Sequence, residues 1–384
     1  MKKIVILGST GSIGINTLKV ISRYPKKFKV VGLTAFNNDV LLEKQIKQFL
    51  PRYVAVRPNA VKGLKNRLGL KKVKVLNAEE DLSSIVSLKE VDVVVIGMTG
   101  SAALEPFLKA VQCGKTIAPA NKEALVIAGE IIMSQARKYK AKIIPVDSEQ
   151  SAIFQCLEGQ RRSDLRKIYL TASGGALDKV PKARFGKITV EQILAHPRWK
   201  MGKKITVDSA TLMNKGFEII EAQRLFDLKI ADIEVVIHPE AIIHSMVSFQ
   251  DGSIMAQLGI TDMRIPIQYA LTYPERLDTG LKDVDFFKLK QLTFKKPDFK
   301  KFPSLGLAIH VAGEGGTLPA VLNAADEEAV SAFLKGKMSF VNIHRIVEKT
   351  VLQHKNKRNP GLKEILAADT AARVKAQEII LKKL

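Results

Sequence analysis

The chain has 384 residues, with 61 Lys and Arg against 38 Asp and Glu, a formal net charge of +23. At roughly 150 residues per domain this length suggests two or three domains, and a hydrophobic content of 46% excludes a disordered polypeptide. No apolar run approaches the ~20 residues of a membrane span, Ile4–Leu7 is too short for the apolar core of a signal peptide, and Cys113 and Cys156 are too few for a disulfide framework or a Cys-rich zinc site. A soluble, cytoplasmic enzyme with two reduced thiols is the expectation.

In the first part of the chain, short apolar strands alternate with helical patterns. The strands are Lys3–Leu7, Lys29–Thr34, Tyr53–Val56, Val73–Leu76, Asp92–Gly97, Thr116–Ala118 and Lys142–Val146; the helices include Ile13–Arg23, Val40–Phe49, Ala103–Cys113 and Ala124–Tyr139. Strands that are near-continuous apolar runs are buried on both faces, as in a parallel sheet. Residues 1–150 therefore read as an α/β, doubly wound Rossmann-like domain.

Residues 151–290 are mixed and read as an α+β catalytic domain. Arg166–Thr171, Glu234–Ile237, His244–Phe249 and Ser253–Gly259 are strands, the last two joined by a Gln250-Asp251-Gly252 turn. Glu149–Glu158, Asn214–Phe226 and Arg264–Leu271 are helices. A mostly antiparallel sheet covered by helices on one face is expected. Residues 291–303, with prolines and paired lysines, read as a solvated, extended linker. From Ser304 to the end only helical periodicity remains, so residues 304–384 read as a C-terminal helical bundle.

The excess charge raises the question of a nucleic-acid partner. Residues 1–150 hold 25 basic and 12 acidic groups, residues 151–285 hold 18 and 17, and residues 286–384 hold 18 and 9. The middle, where chemistry-bearing motifs are densest, is almost neutral. Aromatics are 6% and form no basic–aromatic repeat, so no nucleic-acid partner is expected.

After the first strand, Gly8-Ser9-Thr10-Gly11-Ser12-Ile13-Gly14 opens a helix with glycines spaced GxxGxxG. Glycine permits positive φ and lets backbone approach a pyrophosphate, while the helix start supplies unpaired N–H donors. An NAD-binding chain ordinarily places Asp or Glu at the end of the second strand. Here that stretch reads Thr34-Ala35-Phe36-Asn37-Asn38, which favours NADP although no cation is present either. Asn121-Lys122-Glu123 ends another strand on the same edge, beside the position of the nicotinamide.

Asp147-Ser148-Glu149 ends the strand Lys142–Val146. In extended chain, residues two apart share a face, so the two carboxylates can converge on a cation; a helix N-cap with a first-turn acid is the alternative. Glu218 lies four residues after Asn214 on one helix face. Carboxylates without Cys or His select Mg²⁺ or Mn²⁺. Hydroxyls in Thr171-Ala172-Ser173-Gly174-Gly175 and Val207-Asp208-Ser209-Ala210-Thr211, with Asn214 and Lys215, suit the phosphate of a small molecule. His196-Pro197-Arg198-Trp199-Lys200-Met201 holds the single Trp among cations and suits a mobile flap over an anion. Cys156 has no paired His nearby in sequence, which argues against a thiol-dependent dehydrogenase.

Together these motifs resemble the 1-deoxy-D-xylulose 5-phosphate reductoisomerase family. The resemblance runs through LGSTGSIG, ANKEAL, PVDSEQSAIFQCL, TASGGAL, HPRWKMGKKITVDSATLMNKGFEIIEA, IHPEAIIHSMVSFQDGS and TDMRIPI and covers the whole chain. It implies that Asp147, Glu149 and Glu218 bind the divalent cation. Lys122, Ser148, Ser173, His196, Ser209, Asn214 and Lys215 would hold the sugar phosphate, with Lys122 and His196 among the catalytic groups. Gly8, Thr10, Gly11, Ser12, Ile13, Asn38, Asn121, Glu123 and Gly202 would contact NADPH, and Trp199, Met201 and Met263 would cover substrate and nicotinamide. A lid at about residues 182–205 and a homodimer are implied as well. So is a skeletal rearrangement, by retro-aldol/aldol or ketol shift, followed by hydride reduction to 2-C-methyl-D-erythritol 4-phosphate. The resemblance departs where the family carries Gly and a basic residue: Phe36 and Asn37 stand there, at the place of the cofactor's 2′-phosphate.

Overall fold

The computed structural model describes residues 1–69, 73–195 and 202–382. Its packing divides into two units. The first comprises Met1–Ala124, Ile132–Ser151 and Asp262–Leu281; the second comprises Leu125–Ile131, Ala152–Thr261 and Lys282–Leu384.

The first unit is built on seven strands: β1 (Lys2–Leu7), β2 (Phe28–Thr34), β3 (Tyr53–Val56), β4 (Lys74–Asn77), β5 (Val93–Ile96), β6 (Thr116–Pro119) and β7 (Lys142–Ile143). They lie in the order β4-β3-β2-β1-β5-β6-β7, and every pairing is parallel. Ile4, Val5, Ile6 and Leu7 are wholly buried, as are Val94, Val95 and Ile96, which explains the unbroken apolar runs. Strand order reverses between β1 and β5. Such a switch point opens a crevice at the carboxyl ends of the strands, where the glycine turn and Gly97 lie.

Helices Ser12–Arg23, Asp39–Phe49, Leu104–Gln112 and Glu123–Tyr139 match the sequence pattern to within a residue. The last strand does not. The pattern predicts Lys142–Val146, but β7 ends at Ile143. Pro145 has no N–H to give to the ladder, and although Ile144 and Val146 still donate to Ile117 and Pro119, regular pairing stops.

The boundary expected near residue 150 falls between Ser151 and Ala152, but the first unit is not continuous in sequence. Asp262–Leu281 returns to the first unit, carrying helix Arg264–Thr272 with Ile267, Tyr269, Ala270 and Leu271 buried. Lys2 Nζ donates to the Leu271 carbonyl at 2.8 Å, Lys27 pairs with Glu275 at 2.5 Å, and Arg23 pairs with Asp278.

The second unit holds a four-stranded sheet of β8 (Leu165–Ala172), β9 (Ile233–Ile237), β10 (Ile243–Phe249) and β11 (Ile254–Leu258), in the order β11-β10-β8-β9. Two of its three pairings are antiparallel and β8–β9 is parallel. The expected hairpin turn is present: Gly252 has φ +88°, and Asp251 Oδ1 accepts from Ser253 N.

The helices of the tail are Pro303–Glu314, Leu318–Leu334, Val341–Leu352 and Leu362–Leu381; Leu318–Leu334 packs against both of the last two, and the group also joins the core of the second unit. Leu305, Ala308, Val321 and Phe333 share one core with Phe217 and Ile220 of helix Met213–Phe226 and with Ile168 and Leu170 of β8. Residues 291–303 are mostly exposed and largely without regular structure, yet the segment is fastened at several points. Phe294 stacks on His238 with ring centroids 5.1 Å apart, Lys295 bridges antiparallel to Ile237 and pairs with Asp178 at 2.7 Å, and Phe302 is buried. The lysines stay at the surface, and Phe302 is the ring of this segment that enters the core.

Candidate active site

In the first unit the glycine turn meets its steric requirements glycine by glycine. Gly8 has φ +83°, and a Cβ there would lie 2.9 Å from the Gly97 carbonyl carbon. A Cβ on Gly14 would lie 2.4 Å from Ser9 Cα. Gly11 has no such crowding and serves as the cap of helix Ser12–Arg23, with its backbone extended. Ser9 is wholly buried and exchanges hydrogen bonds with Gln45, through Oγ at 2.7 Å and through its carbonyl at 2.9 Å. The turn is thus braced from behind, while Gly11 and Ser12 are exposed, with Thr10 and Ile13 half-buried beside them. A helix start exposed in this way presents backbone donors to an anion.

Phe36, Asn37 and Asn38 are exposed beyond β2. Asn38 Oδ1 accepts from Leu41 N at 3.0 Å and caps helix Asp39–Phe49. Asn121 is buried, and its amide is committed to the fold: Nδ2 donates to the carbonyls of Met98 and Gly100, and Oδ1 accepts from Ala124 N. It ties the end of β6 to the loop after β5. Glu123 opens helix Glu123–Tyr139, where a carboxylate complements the helix dipole.

Lys122 and Asp147 come together. Lys122 is 5% exposed, and its ammonium lies 2.5 Å from Asp147 Oδ2. Asp147 and Glu149 each offer a carboxylate oxygen within 4.8 Å of the other's, but not for the reason expected from an extended strand. The chain turns into helix Ser148–Leu157 immediately, so Glu149 stands in its first turn, and Ser151 N donates to the Asp147 carbonyl at 2.8 Å. The carboxylates converge through a helix start rather than through strand alternation. Ser148 Oγ donates to Glu149 Oε2 at 2.6 Å. Met263 precedes helix Arg264–Thr272 in this same unit and is half-buried.

In the second unit the phosphate-binding candidates lie on two neighbouring segments. Gly174 and Gly175 both have positive φ, and a Cβ on Gly175 would fall 2.4 Å from the Ser209 carbonyl oxygen. The Ser173 loop therefore rests directly against Ser209. Thr171 has another use: its hydroxyl donates to the Ile243 carbonyl at 2.8 Å and braces the sheet. The run Val207–Thr211 is helical, within Lys203–Thr211, and Leu212 with φ +59° breaks it from helix Met213–Phe226. On that second helix Glu218 is 1% exposed; Asn214 Nδ2 donates to its Oε1 at 2.5 Å and Lys215 pairs with its Oε2. A carboxylate so deeply buried requires such partners.

His196, Trp199 and Met201 lie outside the described residues. Of the expected lid at about 182–205, the part before them is structured, with Phe185 and Ile193 buried in the core of the second unit. Gly202 is exposed at the start of helix Lys203–Thr211.

Comparison with known proteins identifies the family. Three family models match: "1-deoxy-D-xylulose 5-phosphate reductoisomerase" over residues 4–129, its C-terminal domain over 143–226, and "DXP reductoisomerase C-terminal domain" over 258–375. A 1-deoxy-D-xylulose 5-phosphate reductoisomerase from Caldanaerobacter subterraneus is 52% identical over 375 residues, covering 97% of this chain and 98% of that one. The chain belongs to the 1-deoxy-D-xylulose 5-phosphate reductoisomerase family. Another relative of this name, from Trichlorobacter lovleyi, is 48% identical over 99% of the chain and 97% of its own. Among solved structures of the family, the Zymomonas mobilis enzyme in complex with NADPH superposes with a TM-score of 0.93 at 38% identity, and a complex with NADPH, fosmidomycin and magnesium with 0.94 at 38%. Both cover 100% of each chain.

Two features beside the family's motifs escape a reading by spacing. Gly216 sits inside the Asn214–Glu218 motif because a Cβ there would lie 2.3 Å from Ala308 Cβ, so helix Pro303–Glu314 packs tightly behind the reductoisomerase motif. Lys204 lies 2.6 Å from Asp208 and 2.9 Å from Asp326, an acid with no solvent exposure on the tail helix Leu318–Leu334. Its one sequence signal is a carboxylate set into the apolar face of that helix.

Proposed function

We propose that the chain converts 1-deoxy-D-xylulose 5-phosphate into 2-C-methyl-D-erythritol 4-phosphate, an isoprenoid-precursor step that depends on NADPH and a divalent metal. The observation that carries this reading is Glu218, wholly buried yet ionisable and held by Asn214 and Lys215. Membership of a family with complexes of NADPH, fosmidomycin and magnesium supports it.

Asp147, Glu149 and Glu218 would hold the metal. The donor set fits a hard cation, because all three offer carboxylate oxygen and neither Cys nor His takes part, so both Mg²⁺ and Mn²⁺ are suited. When bound, such a cation supplies Lewis acidity towards the ketone and hydroxyl oxygens of the substrate. NADPH supplies the hydride.

The chain's own groups do the rest. Lys122 fixes the Asp147 carboxylate and adds positive charge where oxygen becomes anionic. Asn214 and Lys215 fix the two oxygens of Glu218. Ser173, Ser209, Asn214 and Lys215, with Ser148 and His196, would bind the phosphorylated substrate, and holding a phosphate away from the reacting carbons provides binding energy for closure. The glycine turn with Thr10, Gly11, Ser12 and Ile13 would receive the cofactor pyrophosphate, and Asn38, Asn121, Glu123 and Gly202 would line its course. Residues 182–205 would act as the lid, with Trp199, Met201 and Met263 over the reacting groups.

One experiment tests the reading. Purified protein with 1-deoxy-D-xylulose 5-phosphate and Mg²⁺ or Mn²⁺ is expected to oxidise NADPH and yield the branched polyol phosphate, identified by NMR. EDTA should stop turnover, and Trp199 fluorescence should change as a phosphonate analogue saturates. NADPH consumption without a branched product would reduce the chain to a plain dehydrogenase.

A homodimer fits the second unit. β11 is an edge strand that exposes Ile254 and Met255, and such an edge is a ready template for pairing with a second copy. Met255→Lys is expected to shift the species seen by light scattering from dimer to monomer at micromolar concentration; an unchanged mass would place the interface elsewhere. Cys113, exposed, and Cys156, buried, form no disulfide, which suits a reducing cytoplasm. No helix among the described residues is long and apolar enough to cross a membrane.

A further inference from the structure

The first unit is the most basic part of the chain, yet no Lys or Arg lies between Thr34 and Glu43. In this fold the adenosine ribose of a dinucleotide lies at the end of β2, and a nearby Arg accommodates the extra phosphate of NADPH. The register of the neighbouring strand points to a cation for this place. β2 and β3 run parallel with Gly32 beside Tyr53, Leu33 beside Val54 and Thr34 beside Ala55, and Ala35 N extends the ladder to the Ala55 carbonyl at 3.0 Å. Continued in step, that register sets Phe36 beside Arg57, the first residue beyond β3.

Arg57 caps helix Pro58–Leu68 with backbone in an extended conformation, φ −54° and ψ 151°. Its side chain is half-buried, and the Nε–H is fully buried without a hydrogen-bond partner. Among the described residues no carboxylate pairs with it and no ring stacks on it. Burial of an unpartnered N–H is costly, and the cost is recovered when an acceptor arrives. The planar fork of Arg matches a phosphate bidentately, which a Lys cannot reproduce. Asp39 stands at the start of the next helix, also with a buried, unpartnered oxygen, but forms no ion pair with Arg57.

We propose that Arg57 recognises the 2′-phosphate of NADPH, replacing from β3 the cation that is absent at Phe36-Asn37. The inference rests on the dinucleotide reading of the glycine turn. Phe36, 52% exposed, then lies beside the phosphate rather than in its place.

The test compares ligands that differ only in that phosphate. Dissociation constants for NADPH and NADH, and for adenosine 2′,5′-bisphosphate and AMP, are measured by calorimetry on the wild type, Arg57→Gln and Arg57→Lys. In the wild type the ligand bearing the 2′-phosphate should bind tighter in each pair. Arg57→Gln should weaken that ligand by about 30-fold or more and leave NADH and AMP within about threefold. Arg57→Lys should recover part of the loss and bind with stronger salt dependence than Arg57→Gln. Equal weakening of both members of a pair would assign Arg57 to the adenine ring or to the fold and overturn the proposal. Undiminished discrimination in Arg57→Gln would overturn it too. A wild type that binds neither dinucleotide would instead remove the underlying reading of the glycine turn, and the proposal with it. Thermal melts of both variants distinguish a folding defect from a lost contact.

Discussion

Glu218→Gln is expected to lower kcat by at least about 100-fold while leaving the NADPH dissociation constant within about twofold. The substitution keeps the volume of a side chain that is 1% exposed, so no cavity opens. What it removes is the negative charge that faces Lys215 and that would ligate the metal. A neutral amide is a poor ligand for a hard divalent cation, and it breaks the buried ion pair between Glu218 and Lys215. Both effects fall on Glu218's own surroundings, whereas the cofactor's glycine turn belongs to the first unit and keeps its hydrogen bonds. The melting temperature should fall as well, because breaking a buried ion pair from one side costs up to about 3–5 kcal/mol. Steady-state turnover across a Mg²⁺ titration, with NADPH binding followed separately by fluorescence, reads both quantities. Near-normal turnover at saturating Mg²⁺ would end the assignment of Glu218 as a ligand.

What could be read from the sequence follows the range of each interaction. β1, β2, β3 and β5 are legible because a strand buried on both faces must be apolar throughout, and the glycine turn is legible because positive φ and close approach leave few alternatives to Gly. The carboxylates of Asp147 and Glu149 are legible as a pair but not in their geometry. Whether the chain at Ser148 continues extended or begins a helix depends on Pro145, which interrupts the ladder, and on Ser151 closing the first helical hydrogen bond onto Asp147. Contacts made across long stretches of sequence leave fainter marks. Gly216 is forced by Ala308, Lys204 by Asp326, and residues 262–281 fold back onto the first strand and helix of the chain. In each case the local pattern is compatible with several partners, and only the packed core selects one. The helical tail illustrates this best. Its periodicity identifies every helix, but periodicity states that a face is buried without stating what covers it, and for helix Pro303–Glu314 the cover is the helix that carries Glu218.

The glycine turn supports the sharpest separation of stability from binding. Gly14→Ala is expected to damage both, and Gly11→Ala binding alone. A methyl on Gly14 would meet Ser9 Cα at 2.4 Å, Gly8 O at 2.5 Å and Ser9 C at 2.5 Å, all backbone atoms. They cannot step aside, because Ser9 is pinned on three sides: its N–H donates to the Thr34 carbonyl at 2.7 Å, its hydroxyl to Gln45, and its carbonyl accepts from the Gln45 amide. Overpacking of this kind costs about 1–3 kcal/mol, and moving the turn also misplaces the N–H groups that would face the pyrophosphate. A lower melting temperature together with at least a tenfold rise in the NADPH dissociation constant is therefore expected. At Gly11 the nearest atom to an added methyl is Gly8 O at 3.4 Å, an ordinary contact, and the residue is exposed with φ −78°. Its stability should be unchanged, and any loss of affinity must come from the methyl standing where the pyrophosphate approaches. Differential scanning calorimetry and NADPH fluorescence on the two variants decide the matter. If Gly14→Ala melts like the wild type, the third glycine is not a packing requirement; if Gly11→Ala binds NADPH undiminished, the cofactor does not approach the turn at its exposed glycine.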